Sequence, residues 1–311
     1  MTIAATRQQT LRHRISCSGV GLHSGATVTM TLHPAATDTG IQFLRRDLSR
    51  HKARIAARWN TVIDTRLCTT IGNDAGTKVA TIEHLMAALY GCGIDNALIE
   101  LDGPEVPIMD GSAAPFVFLV ECAGVVAQDA SRRHLRVLKR KEHRDGDARV
   151  SLAPGEGLSI RQMIQYDNSL IGRQTVSLTL REGAFKNELS RARTYGFAAE
   201  VEWLRQQGLA RGGSLDNAVV VDGERVLNAD GLRFRDEFVR HKALDTVGDL
   251  ALAGARLVGR FEGACSGHAT NNALLRALFA DPSAWRLETA DAGSVEGDEA
   301  EWAPTPALAT A

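Results

Sequence analysis

The sequence predicts an α+β protein made of two domains with a similar order of elements. Three observations carry this. Segments that alternate apolar and polar residues dominate the first third, segments with helical apolar spacing follow, and the same succession recurs beyond the polar stretch Gln128–Arg133. At 311 residues the chain has room for two domains of ordinary size. The expected division is 1–128, 134–288 and a disordered tail, 289–311, rich in Ala, Pro and acids.

In the first domain, Thr27–Leu32 alternates and reads as a strand, and Gly40–Leu44 does so over a shorter run. Gly19–Gly25 lies between strands as a glycine-rich turn. Thr81–Tyr90 places Ile82, Leu85, Met86 and Leu89 on one stripe, the pattern of a helix, with Gly91 as its stop. Asn96–Leu101 reads as a buried strand, Asp102–Glu105 as a turn and Ala113–Ala123 as a second helix. In the second domain, Leu135–Lys139, Leu158–Ile164 and Thr175–Leu180 read as strands, followed by a helix near Ala199–Gln207. A Gly212-Gly213 turn, the strand Ala218–Asp222 and a long helix from about Asp236 to Ala253 complete it.

Hydrophobic residues at 44 % and charged residues at 23 % describe a chain able to build a core. Thirty-six basic residues stand against 37 acidic ones, and the Arg-rich stretches 45–54 and 132–144 are broken by acids and apolar residues, so no nucleic-acid partner is expected. No apolar run approaches the roughly 20 residues that span a bilayer, and the first ten residues lack a secretion signal. Five cysteines without CxxC spacing suit a reducing compartment, so a cytoplasmic protein is expected.

His241-Lys-Ala-Leu-Asp245 falls within the long helix, where residues four apart face the same way, and Asp249 continues the row. The pattern describes two ligands aimed at one centre, and equally an ordinary surface pair. Glu83-His84 opens the first-domain helix. With His241 and Asp245, His84 would complete three protein ligands around a zinc ion that keeps one open position, and Glu83 would stand beside it as a base for the bound water. A structural His or a salt bridge fits the dipeptide as well, since no HExxH is present. Ser266-Gly-His268 precedes an apolar helix, so His268 is either a proton donor or a helix-capping surface residue. Arg211-Gly-Gly-Ser214 matches no phosphate-binding fingerprint, and no nucleotide cofactor is indicated.

Together these segments resemble the UDP-3-O-acyl-N-acetylglucosamine deacetylases of Gram-negative lipid A synthesis. The resemblance runs from about Thr10 to Glu288. It rests on Ser18-Gly-Val-Gly-Leu-His-Ser-Gly25, Thr81-Ile-Glu-His-Leu85, Gly93-Ile-Asp-Asn96 and Pro107-Ile-Met-Asp-Gly-Ser112. Further along it rests on Ser190-Arg-Ala-Arg-Thr194, Gly231–Lys242 and Ser266-Gly-His268. It implies two sheet-and-helix domains packed face to face, with the active site between them and a small insert in each.

The resemblance further implies hydrolysis of the acetamide of an acylated UDP-sugar, the committed step of lipid A synthesis. His84, His241 and Asp245 then hold Zn2+, with Fe2+ as the alternative ion. Glu83 is implied as general base, His268 as acid or electrostatic partner, Asp249 as its orienting carboxylate, Lys242 near the developing charge or substrate phosphates, and Thr194 as donor to the oxyanion. Leu22 and Cys68 match positions near the site, and Phe197, Val201, Leu215 and Ala218 match positions lining an acyl passage in the insert 195–220. Nothing demands more than a monomer. The competing readings are a silent relative that binds the same sugar, and a zinc amidase for a different acylated sugar.

Two positions depart from the resemblance. Cys265 stands where a Lys is common, removing one diphosphate contact that nearby Arg260 is available to replace. Gln165-Tyr-Asp-Asn-Ser169 stands where Asp-Phe-x-His-Pro is common, which implies altered local rigidity or substrate contacts.

Overall fold

Alternation in Thr27–Pro34 turns Val28, Met30 and Leu32 into the core and builds the first large sheet. The structure, a computed structural model, describes residues 6–49, 52–181 and 183–289. The first sheet has five strands, in the order Ile15–Val20, Thr27–Pro34, Ala97–Leu101, Ile41–Arg45, Arg54–Ala56. Ile41–Arg45 and Ala97–Leu101 run parallel, and the other neighbours are antiparallel. A small three-stranded sheet follows, made of Val62–Asp64, Thr70–Gly72 and Lys78–Val79.

The second large sheet has seven strands and is mixed. At its centre Arg256–Ala264 pairs antiparallel with Ala148–Ala153 and parallel with Leu158–Gln165, which continues antiparallel to Arg173–Thr179. The outer strands are Lys141–Asp145 on one side, with Arg133–Val137 and Trp285–Thr289 elsewhere along the sheet. This half also carries a small three-stranded sheet, Tyr195–Phe197, Val219–Asp222 and Arg225–Val226. The fold is thus mixed α+β, with a large sheet, helices and a small extra sheet in each half.

Four helices match the expected bounds to within about two residues: α1 (Glu83–Gly91), α2 (Ala114–Ala123), α3 (Ala198–Gln206) and α4 (Glu237–Ala251); the apolar helix expected after Ser266-Gly-His268 is α5 (His268–Phe279). One difference is informative. The spacing in α1 predicts a single apolar stripe, whereas Glu83 through Tyr90 are all buried. The reason is tertiary: α1 is packed against α4, itself buried along most of its length, so it has no water-facing side. α4 also packs on Leu158–Gln165 and Arg173–Thr179, and α5 packs on Lys141–Asp145 and Ala148–Ala153. One contiguous hydrophobic cluster connects both halves through these helices.

The central strand Arg256–Ala264 escapes sequence reading because two glycines and three charged residues interrupt it. The polar stretch 128–133 is mostly strand: Val125–Ser131 pairs antiparallel with Arg7–Leu11, and Arg133–Val137 begins two residues later. The expected disordered tail lies, from residue 290 onward, outside the described residues. No helix among the described residues is long and apolar enough to cross a membrane.

Candidate metal centre and active site

α1 and α4 meet backbone to backbone. A Cβ on Gly248 would lie 2.0 Å from the Glu83 carbonyl oxygen, so only glycine permits this approach. The crossing brings the first turn of α1 to the row His241, Asp245, Asp249 on α4.

His84, His241 and Asp245 are all buried, and one ligand atom from each lies within 4.8 Å of the others. Asp245 Oδ1 is 3.3 Å from His241 Nε2 and 3.5 Å from His84 Nε2. His241 Nδ1 sits 3.1 Å from the Ala192 carbonyl, and because a carbonyl only accepts, Nδ1 carries the proton. Nε2 therefore turns a lone pair toward a carboxylate oxygen. Two facing lone pairs repel unless a cation lies between them. Burial pushes the His241 imidazolium down to about 4, so the ring is neutral and ready to ligate. Asp245 Oδ1 and His84 Nδ1 have no hydrogen-bond partner. Two imidazoles and a carboxylate in this arrangement fit a divalent metal with an open position. Burial disfavours the Asp245 carboxylate, but His241 and Lys242 outweigh that and hold its pKa well below the usual range. The Lys242 ammonium donates to Asp245 Oδ2 at 3.2 Å.

Beside this set lies a second pair. Glu83 Oε1 is 3.9 Å from His268 Nε2. Burial pushes the Glu83 carboxyl up, against the opposing pull of His268 and His84. Its Oε2 accepts the Thr69 backbone N–H at 2.9 Å. His268 opens α5 and is held at Nδ1 by Asp249 Oδ2 at 2.9 Å. Asp249 also accepts from the Thr69 hydroxyl at 2.7 Å and from Asn271 Nδ2 at 2.8 Å. Burial alone would push the His268 imidazolium down, but Asp249 and Glu83 outweigh it and bring the group up to about 9.

The backbone is strained at three approaches to this site. Leu67, Thr81 and Cys265 have φ of +65°, +58° and +50°, just ahead of Cys68, Glu83 and His268. Thr81 is held there by its hydroxyl, which donates to Glu105 Oε1 at 2.9 Å, while Glu105 also accepts from the His23 and Ser24 backbones.

The fold thus brings together Glu83, His84, Lys242, His241, Asp245, Asp249 and His268. Cys68 is buried next to Glu83, and burial raises its thiol to about 12. Leu22 lies against the Gly212-Gly213 turn, its carbonyl accepting from Gly212. Thr194 is fixed at both backbone groups, to the Gly111 carbonyl at 2.7 Å and the Val219 N–H at 2.8 Å. Phe197 ends the strand Tyr195–Phe197 immediately before α3 and packs on Tyr166, with ring centroids 5.6 Å apart. Val201 lies on α3, Ala218 is half-buried beside the small sheet, and Leu215 is 48 % exposed.

Several residues escaped sequence reading. Thr69 touches both Glu83 and Asp249, yet carries no motif signal. Asn271 and the Ala192 carbonyl act through hydrogen bonds that spacing does not reveal. Arg193, in the motif around Thr194, forms a buried pair with Glu237 at 2.9 Å and flanks the Ala192 carbonyl that holds His241. His23 stands in the glycine-rich motif with both ring nitrogens buried and unpartnered. Burial lowers its pKa, with Glu105 opposing and His268 assisting.

The departures resolve differently. Arg260 does not replace the missing lysine. It is exposed on the outer side of the second sheet, on the face away from the helices, 4.0 Å from Glu262. At the other departure, Asn168 and Ser169 stitch their turn to the hairpin 222–226, donating to the Gly223 carbonyl at 2.9 Å and to Glu224 at 2.6 Å.

The family model described as UDP-3-O-acyl N-acetylglycosamine deacetylase matches residues 8–280. Curated relatives bear the name UDP-3-O-acyl-N-acetylglucosamine deacetylase. One from Phenylobacterium zucineum is 52 % identical over 282 residues, covering 91 % of this chain and 96 % of the relative. Another, from Acidithiobacillus ferrooxidans, is 53 % identical over 283 residues, covering 90 % and 92 %. A third, from Idiomarina loihiensis, is 47 % identical over 305 residues, covering 97 % and 99 %.

Proposed function

This chain belongs to the UDP-3-O-acyl N-acetylglycosamine deacetylase family, and on that premise we propose that it hydrolyses the acetamide of UDP-3-O-(3-hydroxyacyl)-N-acetylglucosamine. The products are acetate and the free amine, and the reaction is the committed step of lipid A synthesis. The ion is Zn2+, with Fe2+ as the alternative, held by His84, His241 and Asp245. When bound, it supplies Lewis-acid chemistry: it lowers the pKa of a water and polarises the acetamide carbonyl. The observation that carries this reading is the lone pair of His241 Nε2 facing Asp245 Oδ1 beside a Glu83–His268 pair.

The chain's own groups divide the remaining work. Glu83 takes a proton from the attacking water as the new C–O bond forms. Asp249 keeps the proton of His268 on Nδ1 and favours the cationic ring. His268 then gives its Nε2 proton to the glucosamine nitrogen as the C–N bond breaks. Thr194 donates a hydrogen bond to the carbonyl oxygen as it gains negative charge, and the Lys242 ammonium lies toward the same charge or the substrate phosphates. Leu22 and Cys68 border the sugar, while Phe197, Val201, Leu215 and Ala218 line the way for the acyl chain. The chain works as a cytoplasmic monomer of two domains, 1–128 and 134–288, packed face to face, with no nucleic-acid partner.

The test is release of free amine from the acylated UDP-N-acetylglucosamine, with and without a chelator. Turnover abolished by chelation and restored by zinc is expected. Glu83→Ala should lose about 10²- to 10⁴-fold in rate. No turnover from folded, metal-loaded protein across several acyl lengths would overturn the assignment.

A further inference from the structure

The outer face of the second sheet carries a concentration of arginine that the reaction does not use. Directly paired residues share a face, and the register aligns Arg144 with Arg149, Ala264, Met163 and Thr175 in one row. The next row is Glu142, Ser151, Glu262, Arg161 and Ser177, and beyond it Arg260 lies beside Ala153 and Ser159. Arg173 pairs with Gln165 on the same side, and Arg140 reaches Glu142 and Glu262 at 3.7 and 3.9 Å. The opposite side of these strands, with Val150, Leu152, Ile160 and Phe261, is buried under α4 and α5.

Six arginines, at 140, 144, 149, 161, 173 and 260, therefore face water against two carboxylates, Glu142 and Glu262. The whole chain has a net charge of −1, so this face is a local excess in a nearly neutral molecule. Ala264 keeps its centre low, and the surrounding arginines rim a shallow trough of about 370 Å³. Met163 is the main apolar side chain in it. A protein partner would ordinarily meet an apolar interface centre with aromatic anchors, and stacking of single-stranded bases needs aromatic platforms. Neither is present. What the face offers is a broad set of planar guanidinium groups, suited to phosphates arrayed in a plane.

We propose that this arginine face docks the protein on an anionic phospholipid surface. The contact is electrostatic and reversible, without insertion, and leaves the site on the helix-covered side of the sheet free. Because it rests on charge and register alone, it stands apart from the reaction.

The experiment is co-sedimentation of the metal-loaded full chain with vesicles of phosphatidylcholine alone, or of phosphatidylcholine mixed with phosphatidylglycerol. Turnover is measured on the same samples. Binding to the mixed vesicles only is expected, falling at high salt as the screening length drops from about 10 Å at 0.1 M to about 3 Å at 1 M. The R149Q/R161Q/R173Q variant should bind at least about tenfold less while its turnover stays unchanged; each arginine near an anionic surface contributes to adhesion. Equal binding to both vesicles, undiminished binding by the variant, or no binding to either would overturn the proposal. Capture of a duplex nucleic acid or a polyglutamate peptide without vesicle binding would overturn it in favour of that polyanion.

Discussion

Gly248 lies so close to Glu83 that a Cβ would stand 2.0 Å from the Glu83 carbonyl oxygen. One missing methyl group therefore lets the helix carrying Glu83 and His84 reach the helix carrying His241 and Asp245. Overpacking of this kind costs about 1–3 kcal/mol, and the helices must part to accept it. Gly248→Ala is expected to lower the melting temperature and to reduce both metal affinity and turnover by at least about tenfold, since roughly 1.4 kcal/mol is a factor of ten. Calorimetry with metal analysis checks this. Wild-type values on all three counts would mean that the approach does not control the site.

Thr69 reaches Glu83 through its N–H and, through its hydroxyl, Asp249, the carboxylate that holds His268. Thr69→Val keeps the first bond and removes the second, leaving one Asp249 lone pair unpaired. Losing a buried hydrogen-bond partner of a charged group costs about 1–3 kcal/mol. The expected result is a kcat lower by about 5- to 100-fold with KM little changed, and recovery in Thr69→Ser, whose hydroxyl can make the same bond. A KM effect alone would place Thr69 in substrate binding.

The imidazole of His268 is raised from its ordinary 6.5 to about 9, the opposing pull of burial being outweighed by Asp249 and Glu83. A group whose folded pKa is raised stabilises the fold fully below its unfolded pKa, and that contribution fades as pH rises through the folded value. The metal-free protein should therefore lose stability between about pH 6.5 and 9. Asp249→Asn should remove most of this slope. Urea unfolding across this window, with imidazole NMR of metal-free protein, tests both. A flat profile would show that His268 is not held as a cation.

Arg193 and Glu237 form a buried ion pair with several hydrogen bonds. Removing one partner strands the other charge, at about 3–5 kcal/mol. Arg193→Met is expected to destabilise by that order in urea. It should also weaken metal binding, because the neighbouring Ala192 carbonyl fixes the protonated nitrogen of His241. Destabilisation without any change in metal affinity would confine Arg193 to a role in folding.

Much of the candidate site was legible because its chemistry is written in residue types at fixed local spacings. His241 and Asp245 share a face by helical periodicity, and Glu83-His84 are neighbours in the chain. Their assembly was not legible from spacing. His84 stands more than 150 positions from His241 (241 − 84 = 157); ligand chemistry offered them only as one candidate set among ordinary alternatives, and resemblance to known sequences favoured it before the structure brought them together. Thr69, Asn271 and Gly248 lay beyond both routes. A threonine after a cysteine, an asparagine inside a helix and a glycine inside a helix are common, and their importance appears only as hydrogen bonds and a clearance. Arg260 shows the opposite failure. Proximity in sequence to Cys265 suggested a shared role, but Arg260 lies on the outward face of Arg256–Ala264 and faces solvent, while Cys265 stands beyond the strand's end in a left-handed conformation.

The sequence by itself determined the α+β class, the helical segments among the described residues, the alternating strands and the candidate ligand row on α4, because these follow from local periodicity and from side-chain chemistry. Only the tertiary structure decided that α1 is buried on every side, that the glycine- and charge-interrupted segment Arg256–Ala264 is the centre of a sheet, and that six arginines scattered between positions 140 and 260 form one face. Each of these depends on which distant segments pack or pair together. That is settled by burial and register across the whole chain, and no local window of sequence contains it.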